Sequence, residues 1–280
     1  MKLLRYRKNG SVKPGILDDE GNIREASSIV HDWTSQTVNI SNLSKLNEIN
    51  TTDLPIVNDT ISIAPCLGEV GKFICAGLNY SDHAAETGMA VPKEPIIFMK
   101  ATSAICGPND NIIIPKNSTK TDWEVELGVI IGKEARYISE QDSQDYVAGY
   151  CVVNDLSERE FQLEHLGQWV KGKSCDTFGP IGPYLVTKDE VPDPQSLELF
   201  LDVNGQCMQK GSTSKMIYGV NFLVSYLSQF MSLQSGDIIS TGTPPGVGMG
   251  QKPPIYLKPG DKMRLGIQGL GEQNQTVISL

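Results

Sequence analysis

The sequence predicts an α+β fold that is rich in β-strands, with a mixed roll or barrel and a small N-terminal appendage. Short apolar stretches of strand-forming residues outnumber the helical stretches, and Gly and Pro separate most of them. Strands and helices do not alternate regularly along the chain. A doubly wound parallel sheet requires that alternation and is therefore disfavoured.

The N-terminal appendage is predicted from a change of pattern near residue 70. It begins with three short predicted strands, Leu3–Arg7, Lys13–Leu17 and Asn22–Ala26. A polar stretch over residues 34–60 follows, with apolar residues at irregular spacing. We therefore expect a small domain and linker over residues 1–70 and a larger domain over residues 71–280.

The larger domain is predicted to consist mainly of strands. They are Phe73–Leu78, Ile96–Met99, Ile112–Ile114, Trp123–Ile131, Val147–Val153, Tyr184–Thr187, Leu197–Val203, Asp237–Ser240 and Lys262–Ile267. A short helix is expected over Asp82–Gly88, because Gly88 is a typical stop signal.

A second helix is predicted within Met216–Gly236, the longest uncharged stretch of the chain. Its length matches a membrane span, but its apolar residues fall on one helical face. That face consists of Val220, Leu223, Val224, Leu227, Phe230 and Met231. We therefore expect an amphipathic helix that packs on a core.

Charge and cysteine content limit the classes of function. The chain has 24 Lys and Arg against 33 Asp and Glu, a net charge of −9, which argues against nucleic acid as a partner. A small anionic substrate stays compatible, because a local field can oppose the net charge. Six scattered cysteines without a C-x-x-C pair, and no apolar secretory signal in Met1–Gly10, indicate a protein of the reducing cytoplasm.

Gly167–Ser174 matches the phosphate-binding pattern G-x-x-x-x-G-K-[ST]. Such a loop follows a buried strand and opens a helix. Here Glu158–Leu166 is charged, and Gly179–Pro183 prevents a following helix. The match therefore does not predict a nucleotide site.

Glu124 and Glu126 are candidate metal ligands, because they share one face of a predicted strand. Two carboxylates in one cavity repel each other unless a cation lies between them, and oxygen ligands suit Mg²⁺ or Mn²⁺. A solvated face of a half-buried strand is the alternative. Asp155, at the end of the next apolar strand, would supply a third oxygen ligand, although Asn154-Asp155 is also ordinary turn chemistry.

His83 and Glu86 lie three residues apart on the helix predicted over Asp82–Gly88, so their side chains can touch. Such a pair can act as a general base toward water. A surface ion pair is the alternative.

Further candidates could bind a substrate carboxylate. The loop Thr241–Gly248 offers backbone N–H groups and hydroxyls, although a tight turn explains it equally well. Cationic or amide groups come from Lys100, Arg159, Gln162 and Lys173. Each of these alone is more often a surface residue.

Taken together, these segments resemble the fumarylacetoacetate hydrolase family over Lys72–Leu280. The matching stretches, in the order and spacing of the family, are Phe73–Tyr80 with His83 and Glu86, Phe98–Lys100, Asp122–Gly132, Asn154–Ser157, Gly172-Lys173 with Asp176, Gly179–Pro183 and Thr241–Gly248. The first 70 residues match only the family's variable N-terminal region.

The resemblance implies a β-rich roll, usually dimeric, with a divalent metal, Mg²⁺ or alternatively Mn²⁺. The metal ligands correspond to Glu124, Glu126 and Asp155. The water-activating pair corresponds to His83 and Glu86, and Lys173 is expected to stabilise an enolate. The substrate-contacting positions correspond to Lys100, Arg159, Gln162 and Thr243.

The activity that the resemblance implies is hydrolysis of a C–C bond in a 2,4-diketo acid, giving pyruvate and a small acid. Ser157–Gln162 departs from the family's common Ser-Ala-Arg-Asp. It resembles a subgroup linked to 2,4-diketo-3-deoxy sugar acids of fuconate and rhamnonate breakdown, some of whose members are labelled ureidoglycolate lyase. The alternatives are oxaloacetate decarboxylation, hydroxymuconate isomerisation, or a metal-binding protein without activity.

Overall fold

Strands form most of the regular structure in this computed structural model, which describes residues 1–82 and 92–280. In chain order they are β1 (Lys2–Lys8), β2 (Ser11–Leu17), β3 (Ile23–Glu25), β4 (Ser62–Ile63), β5 (Phe73–Gly77), β6 (Ile96–Lys100), β7 (Ile105–Cys106), β8 (Ile112–Ile114), β9 (Thr121–Asp122), β10 (Val125–Ile131), β11 (Val147–Asn154), β12 (Ser157–Glu158), β13 (Gly179–Pro180), β14 (Leu185–Thr187), β15 (Glu198–Val203), β16 (Gln206–Ser212), β17 (Ile238–Ser240), β18 (Lys262–Ile267) and β19 (Gly271–Ser279). The α-helices are α1 (Ile40–Leu46), α2 (Trp169–Lys173) and α3 (Val220–Ser228), and a π-helical turn spans Glu160–Glu164.

Two large sheets contain most of these strands, and β12-β9 and β13-β7 form two further sheets of two strands each. The larger has the order β3-β2-β1-β14-β11-β10-β17-β5-β6, with β4 beside β1, and the smaller has the order β16-β15-β18-β19-β8. Most pairs are antiparallel, but β17–β5, β19–β8 and β13–β7 are parallel. The predicted α+β class with mixed strands is therefore confirmed. The described strands of the larger sheet run from one free edge to the other, so they do not close into a barrel.

The central strands β10 and β11 are buried on both faces and separate two hydrophobic cores. Val125, Leu127 and Val129 point into a core shared with β15, β18 and α3. Ile130, which follows Val129, points to the other face of the sheet and into a second core. That second core contains Trp33, so the irregular N-terminal region covers the far face of the sheet.

The three N-terminal strands are present as predicted. They join the large sheet through β1, where Lys2 pairs with Val186 and Leu3 with Leu185 of β14. The domain boundary near residue 70 stays a prediction.

The predicted amphipathic helix is present but shorter. It ends at Ser228, and its face of Val220, Leu223, Val224 and Leu227 is buried as expected. The placement of Phe230 on that buried face was wrong: Phe230 lies beyond the helix end and is 66% exposed. In the described parts of the chain no helix is both long and apolar enough to cross a bilayer.

Two strand expectations need correction. The strand predicted over Trp123–Ile131 begins at Val125, because Trp123 and Glu124 lie outside regular structure between β9 and β10. Strands β16 and β19 were not predicted, since their sequences are polar. Gln209, Gln273 and Gln275 in these strands are nevertheless buried. Gln273 donates hydrogen bonds to carbonyl groups of Val152 and Gly182.

Candidate active site

Three buried carboxylates meet where β10 begins and β11 ends. Glu124 directly precedes β10, Glu126 lies within it, and Asp155 directly follows β11. The antiparallel pairing places these positions side by side, and the Asp155 amide donates to the Glu124 carbonyl oxygen at 2.9 Å. One carboxylate oxygen from each of the three lies within 4.8 Å of the others. The three predicted metal ligands therefore converge.

Cationic side chains surround this carboxylate cluster. Lys173 Nζ donates to Glu124 Oε2 at 2.7 Å and to Asp155 Oδ2 at 2.8 Å. Arg159 donates to Glu124 Oε1 at 2.7 Å, and Lys100 forms an ion pair with Asp155. All three cations are almost fully buried. Buried charges of this kind persist only when they are paired.

The carboxyl groups of the cluster differ in pKa. Burial favours the protonated form of Glu124, but Lys173 and Arg159 outweigh it and lower the pKa of Glu124 to about 2. At Glu126, burial and the charges of Asp155 and Glu124 raise the pKa well above the ordinary value of 4.5. Lys173, itself buried, stays protonated because Asp155 and Glu124 raise its pKa. Glu126 therefore tends to keep its proton in the metal-free cluster, and a cation bound beside it would favour its ionised form.

This donor set fits a divalent metal with a preference for oxygen. All the candidate ligand atoms are carboxylate oxygens, the type that Mg²⁺ and Mn²⁺ take. The hydrogen bonds to Glu126 from Ser240 Oγ at 2.6 Å and the Gly242 amide at 2.9 Å both end on Oε2. They fix the orientation of the Glu126 side chain, as hydrogen-bonding groups around a metal site commonly do for its ligands.

A cleft opens above the carboxylate cluster. Its polar lining comes from the predicted residues Glu124, Glu126, Arg159, Gln162, Lys173 and Thr243. Lys100 is absent from the described lining: it is 2% exposed and lies behind Asp155, where it also donates to the Leu156 carbonyl at 3.0 Å. Direct contact of Lys100 with a substrate stays a prediction.

Another part of the cleft lining, here called the apolar wall, consists of apolar side chains. Phe98 and Trp169 meet edge to face with ring centroids 5.2 Å apart, and Leu78, Leu163 and Met249 complete the wall. The indole packs so closely on β5 that a Cβ at Gly77 would lie 2.6 Å from Trp169 Cζ3. A substrate in this cleft would therefore have a charged end at the cluster and a less polar end at the wall.

The segment Gly167–Ser174 presents Lys173 to carboxylates. Gly172 is required because a Cβ there would lie 2.3 Å from the Glu158 carbonyl oxygen. The following Lys173 reaches Glu124 and Asp155, and Ser174 Oγ accepts from the Ala101 amide at 2.8 Å. The segment that matches the phosphate-loop pattern therefore positions a buried lysine.

Thr243 is held in place by its neighbours. Its hydroxyl donates to the Val125 carbonyl at 2.9 Å and accepts from Gln209 Nε2 at 2.8 Å. Gln209 also donates to the Pro244 carbonyl and accepts from the Val125 amide. The loop predicted over Thr241–Gly248 is thereby fixed to the start of β10.

His83 and Glu86, the predicted water-activating pair, lie outside the described residues. The chain before them is fixed by Asn79, whose side-chain amide donates to the carbonyl groups of Tyr218 and Thr241. The role of the pair stays a prediction.

Comparison with known proteins identifies the family. Residues 72–278 match the model of the fumarylacetoacetate hydrolase C-terminal domain. The chain belongs to the fumarylacetoacetate hydrolase family. It is an enzyme, with the fold of the family's hydrolases and isomerases.

Individual relatives extend the similarity over the whole chain. A Burkholderia multivorans protein named "Putative hydrolase" is 60% identical over 98% of both chains. The fumarylacetoacetate hydrolase of the psychrophile Exiguobacterium antarcticum has a TM-score of 0.88 at 32% identity, with 100% of both chains covered. The maleylpyruvate hydrolase of Sphingobium sp. SYK-6 was solved with manganese (II) and pyruvate. It has a TM-score of 0.84 at 27% identity over 100% of this chain and 99% of its own.

Sequence reasoning missed several residues that shape the site. Asn154 accepts from the Glu124 amide at 3.1 Å, and Gln209 holds Thr243. Phe98 and Trp169 were given no role, although both line the cleft. Asp122 is also without a predicted role, although it accepts a hydrogen bond from Arg159. A buried polar residue next to a strand has no local signal that separates it from a turn residue, so only the fold identifies these groups.

Proposed function

We propose that this enzyme is a metal-dependent hydrolase that cleaves a C–C bond of a 2,4-diketo acid and releases pyruvate and a small acid. The observation that carries the proposal is the convergence of Glu124, Glu126 and Asp155 under a cleft lined by Arg159 and Lys173. The similarity to a maleylpyruvate hydrolase solved with manganese and pyruvate supports it.

A divalent cation, Mg²⁺ or Mn²⁺, held by Glu124, Glu126 and Asp155 would supply Lewis-acid polarisation of the substrate oxygens. The protein side chains supply binding and charge. Arg159 and Gln162, whose side chains are joined by a 3.0 Å hydrogen bond, would orient the substrate carboxylate.

The reaction adds water across the bond between C3 and C4 of the diketo acid. The water oxygen becomes part of the small acid, and C3 leaves with the bonding electrons as the enolate of pyruvate. The ammonium of Lys173, protonated and buried in the cleft, would stabilise that developing charge. We assign the removal of the water proton to His83 and Glu86. Protonation of C3 then gives pyruvate.

Pyruvate release from three compounds tests the substrate preference of the enzyme: 2,4-diketo-3-deoxyfuconate, acetylpyruvate and oxaloacetate. Each assay contains Mg²⁺, and a parallel assay contains a chelator. We expect chelator-sensitive release from the diketo acids well above that from oxaloacetate. Preference for oxaloacetate would indicate a decarboxylase, and absence of metal-dependent release from all three would overturn the proposal.

The two diketo acids separate the substrate classes. The departure at Ser157–Gln162 supports the sugar acid, whereas the apolar wall formed by Phe98 and Trp169 supports an acylpyruvate. The ratio of their kcat/KM values decides between them.

A further inference from the structure

Asp122 is a fully buried aspartate beside the cleft. It is the last residue of β9 and pairs with Ser157 of β12. Its carboxylate is 0% exposed. It does not belong to the carboxylate cluster of Glu124, Glu126 and Asp155.

Both oxygens of this carboxylate accept hydrogen bonds. Oδ1 accepts from the amides of Trp123 at 2.8 Å and Gly248 at 2.6 Å. Oδ2 accepts from Arg159 Nε at 2.8 Å and from the Met249 amide at 3.0 Å. An asparagine has only one acceptor oxygen, so it cannot satisfy both sets of donors.

The bond to Nε determines how the guanidinium of Arg159 faces the cleft. Asp122 Oδ2 lies 2.8 Å from Arg159 Nη2 as well as 2.8 Å from Nε. Nη2 also donates to Glu124 Oε1 at 2.7 Å, and Nη1 donates to Gln162 at 3.0 Å. The planar group is thus held along one edge, and its other donors face residues of the cleft. A lysine could not reproduce this arrangement.

The same carboxylate fixes a second wall of the cleft. A Cβ at Gly248 would lie 2.8 Å from Asp122 Oδ1 and 2.0 Å from the Ile255 carbonyl oxygen, so this position requires glycine. The next residue, Met249, lines the cleft together with Arg159. One buried side chain therefore connects two walls that come from distant parts of the sequence.

We propose that Asp122 is a positioning residue that holds Arg159 and the 248–249 turn in place for binding of a small carboxylate. The nature of that ligand, pyruvate or its diketo precursor, rests on the proposed function. The positioning itself is a property of the protein without ligand and can be measured separately.

The first measurement is hydrogen exchange at the Arg159 Nε–H, followed by NMR of the arginine side chains. The signal is assigned by its loss in Arg159→Lys. We expect slow exchange in the wild type before any ligand is added, and exchange faster by at least tenfold in Asp122→Asn. Slow exchange of the Arg159 Nε–H only after pyruvate is added would overturn the proposal. This comparison uses the wild type alone, so it does not depend on whether Asp122→Asn folds.

The second measurement is pyruvate binding by calorimetry in the presence of Mn²⁺. We expect Asp122→Asn to weaken binding about tenfold in the wild type and less than twofold in an Arg159→Lys background, because both changes remove the same arrangement. Equal losses in the two backgrounds would overturn the positioning role. If the wild type binds no pyruvate, the proposed function fails, and the exchange measurement still decides the role of Asp122.

Asp237→Asn is the matched control. Asp237 is also fully buried and accepts from two backbone amides, those of Lys72 at 2.8 Å and Gln234 at 2.7 Å. It directly precedes β17 and forms an ion pair with Lys72 Nζ at 2.6 Å, and its described contacts do not involve Arg159. We expect Asp237→Asn to leave both Arg159 exchange and pyruvate binding within twofold of the wild type; losses equal to those of Asp122→Asn would overturn the proposal.

Discussion

Lys173 and Asp155 form a fully buried ion pair, with Nζ 2.8 Å from Oδ2. The lysine belongs to the short helix α2, and the aspartate directly follows β11. The pair therefore connects α2 to the central sheet. Its lysine also binds Glu124, which places a single positive charge between two candidate metal ligands.

Replacement of this lysine by an uncharged side chain separates catalysis from metal binding. We expect Lys173→Met to lower kcat about 10²- to 10³-fold, the loss typical when a charge-stabilising group is removed. Mn²⁺ binding should persist, because the carboxylate cluster becomes more negative. Steady-state kinetics and calorimetry measure the two effects. The control is Lys171→Met, since Lys171 is exposed and, among the described hydrogen bonds, its side-chain ammonium donates only to the His165 carbonyl. An unchanged kcat in Lys173→Met would contradict the assigned role.

Replacement of Glu126 by glutamine is expected to stabilise the metal-free protein. Burial and the charges of Asp155 and Glu124 raise the pKa of Glu126, so the folded state holds a proton that the unfolded chain releases. Stability of the metal-free wild type should therefore fall as the pH rises above about 4.5. Glu126→Gln removes this dependence and retains an acceptor for Ser240 and Gly242. We expect its Tm at neutral pH to rise by about 2–4 °C, the shift produced by about 1 kcal/mol.

The metal-loaded state provides the control for Glu126→Gln. Mn²⁺ should raise the Tm of the wild type, because a ligand that binds only the folded state stabilises it. It should leave the Tm of the variant nearly unchanged. Equal stabilisation of both proteins by Mn²⁺ would exclude Glu126 as a ligand.

The apolar wall predicts a size limit for the substrate. In Gly77→Ala the new methyl group would lie 2.6 Å from Trp169 Cζ3, so the indole must move. We expect KM to increase with the length of the acyl chain in a series of acylpyruvates, by about tenfold for the longer members, since about 1.4 kcal/mol of lost binding corresponds to that factor. The smaller ring of Trp169→Phe should restore KM in the double variant. An equal increase for every chain length would indicate general distortion.

Gln209 is predicted to stabilise the loop that carries Thr243. Gln209→Leu leaves the Val125 amide and the Pro244 carbonyl without their partner. Each buried polar group that loses its hydrogen bond costs about 1–3 kcal/mol, so we expect a loss of about 2 kcal/mol or more in the free energy of unfolding. Urea denaturation measures it. Gln206→Leu, at the exposed start of the same strand, should change stability by less than about 0.5 kcal/mol.

The sequence was informative where the pattern of a strand determines the position of a side chain. Glu124 and Glu126 alternate with buried apolar residues, and Asp155 ends an apolar strand, so their convergence follows from the pairing of β10 with β11. The apolar pattern likewise predicted a strand over Asp237–Ser240, observed as Ile238–Ser240, before the loop that binds Glu126.

Other features depend on contacts between distant parts of the chain. Gln273 and Gln275 are buried in β19, where hydrogen bonds compensate for their polarity, so the hydrophobic pattern that marks a strand is missing. Asp122 reaches Gly248 and Met249 across more than a hundred residues. No local spacing encodes such a contact, and the sequence therefore predicts the ligands better than the groups that hold them.

Successive side chains of β10 point to opposite faces of the sheet, toward two different cores, so the register of this strand is critical. Deletion or insertion of one residue within Val125–Ile131 would exchange the side chains of the two cores, because successive residues point to opposite faces. The same one-residue shift in register would turn the Glu126 side chain away from Asp155. The strand that carries the candidate ligand thus tolerates substitutions at single positions more readily than any change in its length, and homologous enzymes with this site should differ in length in the loops around β10 and not within it.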